Sequence, residues 1–256
     1  MRDADDKKVE KAAGLIAEAN HVVAFTGAGV SAESGVPTYR GDGGLWEEYD
    51  PEKTATLSAF KDDPDKFWSF IRDMAVSKDI SPNPAHKVLA DWEKEGILKA
   101  VITQNIDLLH EEAGNKRVLK LHGSLEEAAC RECGEEYEWN EISRVLEKGE
   151  IPRCRSCDSR RIKPEVVFFG EMLPRDTLKE AEREARKCDL MLVIGSSLAV
   201  HPAASLPAMA LRGGADLIYV NADRGERPGL FDVILQGSAG EILPELASAE
   251  ARKKSD

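Results

Sequence analysis

The chain has 256 residues, 42% hydrophobic and 32% charged, a composition that supplies a sizeable core for one or two globular domains. Its formal net charge of −12, without a long basic run, argues against direct nucleic-acid binding, which needs a basic face to displace counterions, and suits positively charged protein partners. No apolar run approaches the roughly 20 residues that span a bilayer, so no membrane association is expected. The opening MRDADDKKVEKAAG lacks the apolar core of a signal peptide, so a reducing cytoplasm is the expected setting. Five cysteines, four of them in CxxC pairs, argue against a disulfide framework. Cys188, just before an apolar run, reads as a buried inert thiol.

In chain order, residues 7–20 carry Val9, Ala12, Ala13, Leu15, Ile16 and Ala19 at helical spacing. HVVAFT then runs into Gly27-Ala28-Gly29. Gly27, Gly29 and Ala32 satisfy GxGxx(G/A), with Ser31 alongside, which fits either a strand-to-phosphate loop or a plain tight turn. The continuation SAESGVPTYRGDGGLW, rich in glycine, predicts a mobile flap rather than a long helix. Its Arg40 either contacts a phosphate or is an ordinary surface arginine. A helical insertion over 43–83 holds Trp46, Phe60, Phe67, Trp68 and Phe70, read as core and packing residues. A helix near 86–96 precedes a strand at 99–103. Directly after it, Gln104, Asn105 and Asp107 offer two amides and a carboxylate where parallel sheets bind ligands, or alternatively a helix cap towards His110.

His122, in LKLHGS, is one of five histidines; it is either a structural residue or a proton acceptor active near pH 7. Over 125–165 the strand–helix alternation stops. Cys130 and Cys133, then 20 residues, then Cys154 and Cys157 match a four-cysteine zinc site. Four thiolates complete a tetrahedron and leave no position for water, so one structural zinc per chain is expected. Beyond it, a helix at 176–187 leads to a strand at 189–195 ending in Gly195-Ser196-Ser197. A strand at 215–220 ends at Asn221, and 233–236 precedes a closing helix at 241–252. Ser196, Ser197 and Asn221 are placed either to touch ribose hydroxyls or to cap helices. Apolar, β-branched strands alternating with helices predict an α/β fold: a Rossmann-like parallel sheet with an inserted small zinc-binding domain and a helical insertion. The expected division is 1–42, 84–124 and 166–256 for the large domain, 43–83 for the helical insertion and 125–165 for the zinc module.

Taken together, GAGVSAESGVPTYRG, TQNIDLLH, LHG, the cysteine quartet, VVFFGEMLP, GSSLAVHPAASLP and Asn221 resemble the sirtuins, the NAD-dependent protein deacylases, over 14–247. The resemblance implies that NAD and an acyl-lysine peptide meet in a cleft between the two domains. The acyl oxygen displaces nicotinamide, and hydrolysis yields free lysine and 2′-O-acyl-ADP-ribose. It assigns His122 as general base and Asn105 as the residue holding ribose and a water. Ile106 and Asp107 would bind the nicotinamide carboxamide, and Gln104 its ribose. Gly27, Ala28, Gly29, Ser31, Ala32, Thr38, Tyr39, Arg40 and Trp46 would hold NAD and close over it. Gly195, Ser196, Ser197, Asn221, Ala222, Asp223 and Ala239 would bind the adenosine half. Val167, Phe168, Gly170 and Glu171 would border the peptide channel, where substrate pairs as an added strand.

Thr38 stands where many sirtuins have Asp, and Tyr39 where many have Phe. Members that act on acidic acyl groups carry a YxxR pair whose aligned positions here are Ile71 and Met74, in WSFIRDMAV, with Arg72 as a neighbour. A distal carboxylate without phenol or cation partners is poorly compensated, so deacetylation with weak desuccinylation and demalonylation is expected. A hydride-transferring dehydrogenase would share the glycine loop but explains neither the cysteine quartet nor the TQNID–HG pair. An ADP-ribosyltransferase would label protein from NAD. A zinc-ribbon nucleic-acid module would conflict with the acidic balance.

Overall fold

The computed structural model describes residues 2–38, 49–76, 80–223 and 228–255, with side chains at 2–5, 75–76 and 254–255 left aside. Helix α1 (Arg2–Glu18) leads into strand β1 (Val22–Thr26). Short helices α2 (Pro51–Thr54), α3 (Leu57–Asp62) and α4 (Pro64–Ile71) fill the insertion, and α4 runs on into a π-helical turn, Arg72–Val76. Helix α5 (Pro84–Lys94) precedes β2 (Leu98–Thr103), followed by α6 (Leu109–Ala113) and β3 (Val118–Lys120). The zinc module contributes β4 (Gly123–Cys130), β5 (Glu136–Glu138), α7 (Trp139–Glu147) and β6 (Ile162–Val166). Then come α8 (Arg175–Lys187), β7 (Leu190–Ile194), α9 (Leu206–Arg212), β8 (Asp216–Asn221), β9 (Val233–Gln236) and α10 (Ala239–Ser255).

Six strands form one parallel sheet in the order β3-β2-β1-β7-β8-β9. Its central strands are buried on both faces, as their unbroken apolar runs predict. Period-two geometry sorts their side chains. Val22, Ala24, Leu190 and Leu192 face α1, α5 and α10 through Ala13, Leu89 and Leu246. Val23, Phe25, Met191 and Val193 face α8 and α9 through Ala181, Ala185 and Ala210. Chain order reverses between β1 and β7, which leaves a crevice beyond their carboxyl ends.

The second sheet is antiparallel, in the order β5-β4-β6. It shares one core with the helical insertion: Phe60, Phe67, Trp68 and Ile71 pack with Leu125, Ala128, Ile142 and Ile162. Trp68 Nε1 donates to Ile162 O at 3.0 Å, so the indole is buried without an orphaned donor. Gly123 starts β4 at φ 70°, and a Cβ there would lie 1.8 Å from Glu165 O. Only glycine lets β6 cross so close behind His122.

Candidate active site

The crevice is built first by two loops in backbone contact. Gly27 N donates to Ile194 O at 3.0 Å and Gly29 N to Gly195 O at 2.9 Å. A Cβ on Gly29 would stand 2.7 Å from Gly195 Cα; one on Gly195, at φ 62°, would stand 2.2 Å from Val30 N. Both positions therefore require glycine. The chain beyond Gly27 forms two single-turn 3₁₀ segments, Ala28–Val30 and Ala32–Ser34, instead of the long helix of a dehydrogenase loop. Glu33 Oε2 accepts from Gly240 N at 2.6 Å, tying this loop to the start of α10.

The exit of β2 lies beside these loops. Gln104 N donates to Thr26 O, and its amide donates to Ser196 Oγ at 2.8 Å. Asn105 Nδ2 donates to Ser31 Oγ at 3.0 Å, and Ser31 Oγ donates to Asp107 Oδ2 at 2.9 Å. Burial raises the pKa of Asp107, while the Ser31 hydrogen bond opposes the rise. Asp107 Oδ1 also accepts from Leu109 N at 3.2 Å, beside the start of α6.

Beneath this wall two buried imidazoles pack at 4.8 Å between centroids, His86 from α5 and His110 from α6. Thr26 Oγ1 donates to Thr103 Oγ1, so His110 Nε2, at 3.0 Å, donates to Thr26 Oγ1. Ser31 Oγ gives its proton to Asp107, so His86 Nε2, at 3.4 Å, donates to Ser31 Oγ. Burial favours the neutral form of both rings. Desolvation lowers His86 to about 4; desolvation and then His86 lower His110 to about 3.

These shifts set a pH dependence. Below pH 6.5 the unfolded chain protonates both imidazoles and the folded chain does not, so stability present above 6.5 is lost as pH falls towards 4. Asp107, with its raised pKa, contributes with the opposite sign. The pair is expected to remove on the order of several kcal/mol over that window. Urea titrations between pH 4.5 and 7 should show the midpoint climbing with pH, and His110→Gln should flatten the climb; a flat wild-type profile would contradict the assignment.

His122 sits between β3 and β4. Its Nδ1 lies 2.8 Å from Gln104 O. A carbonyl only accepts, so Nδ1 carries the proton and Nε2 is left as an acceptor. Desolvation lowers its pKa, opposed by the Gln104 hydrogen bond, which favours the neutral ring at pH 7. Val167 N donates to His122 O at 2.8 Å and anchors the segment after β6 alongside.

The glycine loop, the exit of β2 and His122 open on one cleft of about 510 Å³. Ser196, Ser197, Asn221, Ala222, Asp223 and Ala239 line it from the large-sheet side, and Phe67, Phe70, Ile71 and residues 166–171 also line it.

Residues 27–202 match the Sir2 family. The chain belongs to the Sir2 family. It is 51% identical over 251 residues to NAD-dependent protein deacylase 2 of Archaeoglobus fulgidus, covering 98% of this chain and 99% of the relative. A solved Sir2 structure bound to a myristoylated histone peptide superimposes with a TM-score of 0.87 at 46% identity, covering 98% of this chain and 99% of that one. A Sir2 variant solved with deacetylated p53 peptide and 3′-O-acetyl ADP ribose gives a TM-score of 0.87 at 36% identity, covering 94% and 97%.

In this Sir2 chain the sequence-derived residues fall into three groups. Gly27, Ala28, Gly29, Ala32, Thr38, Gln104, Asn105, Ile106, His122, Val167, Phe168, Gly170, Glu171, Gly195, Ser196, Ser197, Asn221, Ala222, Asp223, Ala239 and Ile71 line the cleft together. Ser31, Asp107 and Met74 are not among the described lining residues. Ser31 and Asp107 hydrogen-bond each other in the polar network beside the wall, and Met74 is buried in the core shared by the small sheet and the helical insertion. Tyr39, Arg40 and Trp46 lie outside the described residues. Motif reasoning missed Glu33, Phe67, Phe70, Leu173, Val200, His201 and Gly237 as lining residues. Phe67 and Phe70 were legible only as core, because a buried aromatic that also lines a cleft carries the same local signal.

The four cysteine sulfurs of this Sir2 chain lie within 4.8 Å of one another, with Cys130–Cys157 at 3.7 Å and Cys133–Cys154 at 3.5 Å. Four sulfurs at a zinc bond length of about 2.3 Å stand about 3.8 Å apart in a tetrahedron, so the quartet fits one zinc ion. Each CxxC turn closes through a left-handed residue after its second cysteine, Gly134 at φ 78° and Asp158 at φ 58°. Gly134 N donates to Cys130 O and Asp158 N to Cys154 O. Tyr137 Oη donates to Cys154 Sγ at 3.3 Å and accepts from Arg155 N at 2.9 Å, holding the second turn to β5. Among the described residues no helix is long and apolar enough to cross a membrane.

Proposed function

We propose that the protein is an NAD-dependent protein-lysine deacetylase, transferring the acyl group of an acyl-lysine peptide to ADP-ribose with release of nicotinamide. The observation that carries the reading is His122. Its Nδ1–H is committed to Gln104 O, its Nε2 remains an acceptor, and it lines the cleft where a glycine loop meets an apolar aromatic wall. NAD supplies an activated ribose whose leaving group is nicotinamide. The chain's residues bind, orient and deprotonate. Gly27, Ala28, Gly29, Ala32 and Thr38 receive the pyrophosphate side; Ser196, Ser197, Asn221, Ala222, Asp223 and Ala239 the adenosine half. Gln104, Asn105 and Ile106 orient the reacting ribose, with Asp107 and Ser31 fixing Asn105. His122 Nε2 takes the proton of a ribose hydroxyl, a general-base step made effective by fixed orientation. By the resemblance, Tyr39, Arg40 and Trp46 complete the cofactor loop.

The peptide pairs along 167–171 beside β6, an edge strand of its sheet. The large domain over 1–42, 84–124 and 166–256 holds NAD, and the small domain over 43–83 and 125–165, with its structural zinc, forms the opposing wall. Basic, lysine-bearing protein segments suit the chain's net charge of −12, which disfavours nucleic acid as a direct partner. Free thiolates in a zinc quartet suit a reducing cytoplasm.

Acyl preference follows from the wall. Phe67, Phe70, Ile71, Ile106 and Phe168 line the cleft, and the described lining residues include no lysine or arginine. Arg72 is paired with Asp73 at 3.2 Å and is not among them. A succinyl or malonyl carboxylate would be desolvated without a partner. Acetyl-lysine peptide should exceed succinyl-lysine peptide in kcat/KM by roughly 30-fold or more. Mass spectrometry of an acyl-lysine peptide panel with NAD checks this, and equal turnover of the two would overturn it. The same apolar wall favours long uncharged chains as a second substrate class, supported by the relative solved with a myristoylated peptide. Myristoyl-lysine therefore belongs in the panel.

A further inference from the structure

Lys163, in the middle of β6, is 4% exposed. Lysine is almost never buried this far unless its charge is matched. Here the ammonium donates to Val166 O at 2.7 Å, pairs with Glu171 Oε2 at 3.2 Å and stands 4.2 Å from the centroid of the Phe168 ring. Glu171 Oε2 in turn accepts from Phe168 N at 2.8 Å, and Glu171 N donates to Phe168 O at 3.0 Å. All three partners lie at the end of β6 or just after it, in the stretch 166–171 that lines the cleft. Phe168 also sits on Phe67, with centroids 4.8 Å apart.

We propose that Lys163 is a positioning residue for the acyl-peptide: its buried ammonium folds 166–171 back on β6 and presets the edge to which substrate adds. This rests on the deacylase reading above. Lys163 lies outside the cleft wall and acts only through Val166, Phe168 and Glu171. Desolvation pulls its pKa down, and Glu171 opposes that pull. With the ammonium removed, Val166 O loses its donor and Glu171 its counter-charge. The segment then samples conformations that peptide binding must reorder, which weakens peptide affinity. The NAD loops, on the other sheet, make none of these contacts.

The test is steady-state kinetics of the zinc-loaded wild type, Lys163→Met, Glu171→Gln and the double variant with acetyl-lysine peptide and NAD. Lys163→Met should raise the KM for peptide about tenfold, with kcat and the KM for NAD within about twofold. The double variant should be no worse than the Lys163 variant, because the two side chains act as one unit. An unchanged peptide KM, a parallel rise in the KM for NAD, or fully additive effects would overturn the proposal. Should Lys163→Met not fold, Glu171→Gln decides: a raised peptide KM with faster hydrogen exchange at the Phe168 amide supports it, and wild-type values of both overturn it. Wild-type protein inactive on every acyl-peptide would instead defeat the deacylase reading.

Discussion

Replacing His122 with tyrosine is expected to abolish NAD-dependent deacetylation, a loss on the order of 10³-fold or more in kcat, with zinc content unchanged. The phenol cannot reproduce an imidazole that donates from Nδ1 to Gln104 O and accepts at Nε2. Its hydroxyl is also a far weaker base near neutral pH. The zinc quartet lies on separate turns and shares no hydrogen bond with His122 among the described residues. Metal analysis should therefore give one zinc per chain in both proteins while peptide turnover disappears. The wild-type pH profile adds a second readout. The base works as the neutral ring, and burial lowers its pKa below 6.5, so the acid limb of kcat/KM should lie below pH 6.5. Near-normal turnover of the tyrosine variant would assign the proton transfer elsewhere.

Replacing Cys130 with alanine should remove the zinc and lower the melting temperature by about 10 °C or more. Cys130 and Cys154 are buried in the core shared by the zinc module and the helical insertion. Losing one thiolate leaves three sulfurs that cannot close a tetrahedron. The turns 130–134 and 154–158 then lose their cross-link, and Trp68, Ile142 and Ile162 lose the frame they pack on. Activity should fall with the fold, since that module carries one wall of the cleft. Elemental analysis and thermal unfolding followed by circular dichroism measure both quantities. Stoichiometric zinc and a wild-type melting curve in the alanine variant would refute a structural role.

Much of this protein was readable because the relevant physics is local. The central strands are buried on both faces, so their apolar runs stand out, and α5 and α8 begin and end close to the expected bounds, whereas α1 begins five residues before the expected start. Strand β3, only Val118–Lys120, was too short to register and reads as the approach to His122. Zinc-ligand spacing is set within each CxxC turn, and the glycines of 27–29 announce a chain that must pass close to another backbone.

What the sequence by itself determined, then, was the set of elements and the chemistry at their ends: the glycine loop, TQNID, His122 and the cysteine quartet. Tertiary structure alone decided which way those side chains turn. Ser31 and Asp107 sit in the same short motifs as Ala28 and Asn105, yet Ser31 brings them into one network with His86, from a helix elsewhere in the chain, which packs on His110. Ile71 and Met74 both end in the core shared by the small sheet and the helical insertion, and Ile71 also borders the cleft. Lys163 reads as an ordinary basic residue until 166–171 folds over it. Backbone preference and ligand spacing act over a few residues, whereas burial and pairing depend on groups brought together from distant positions.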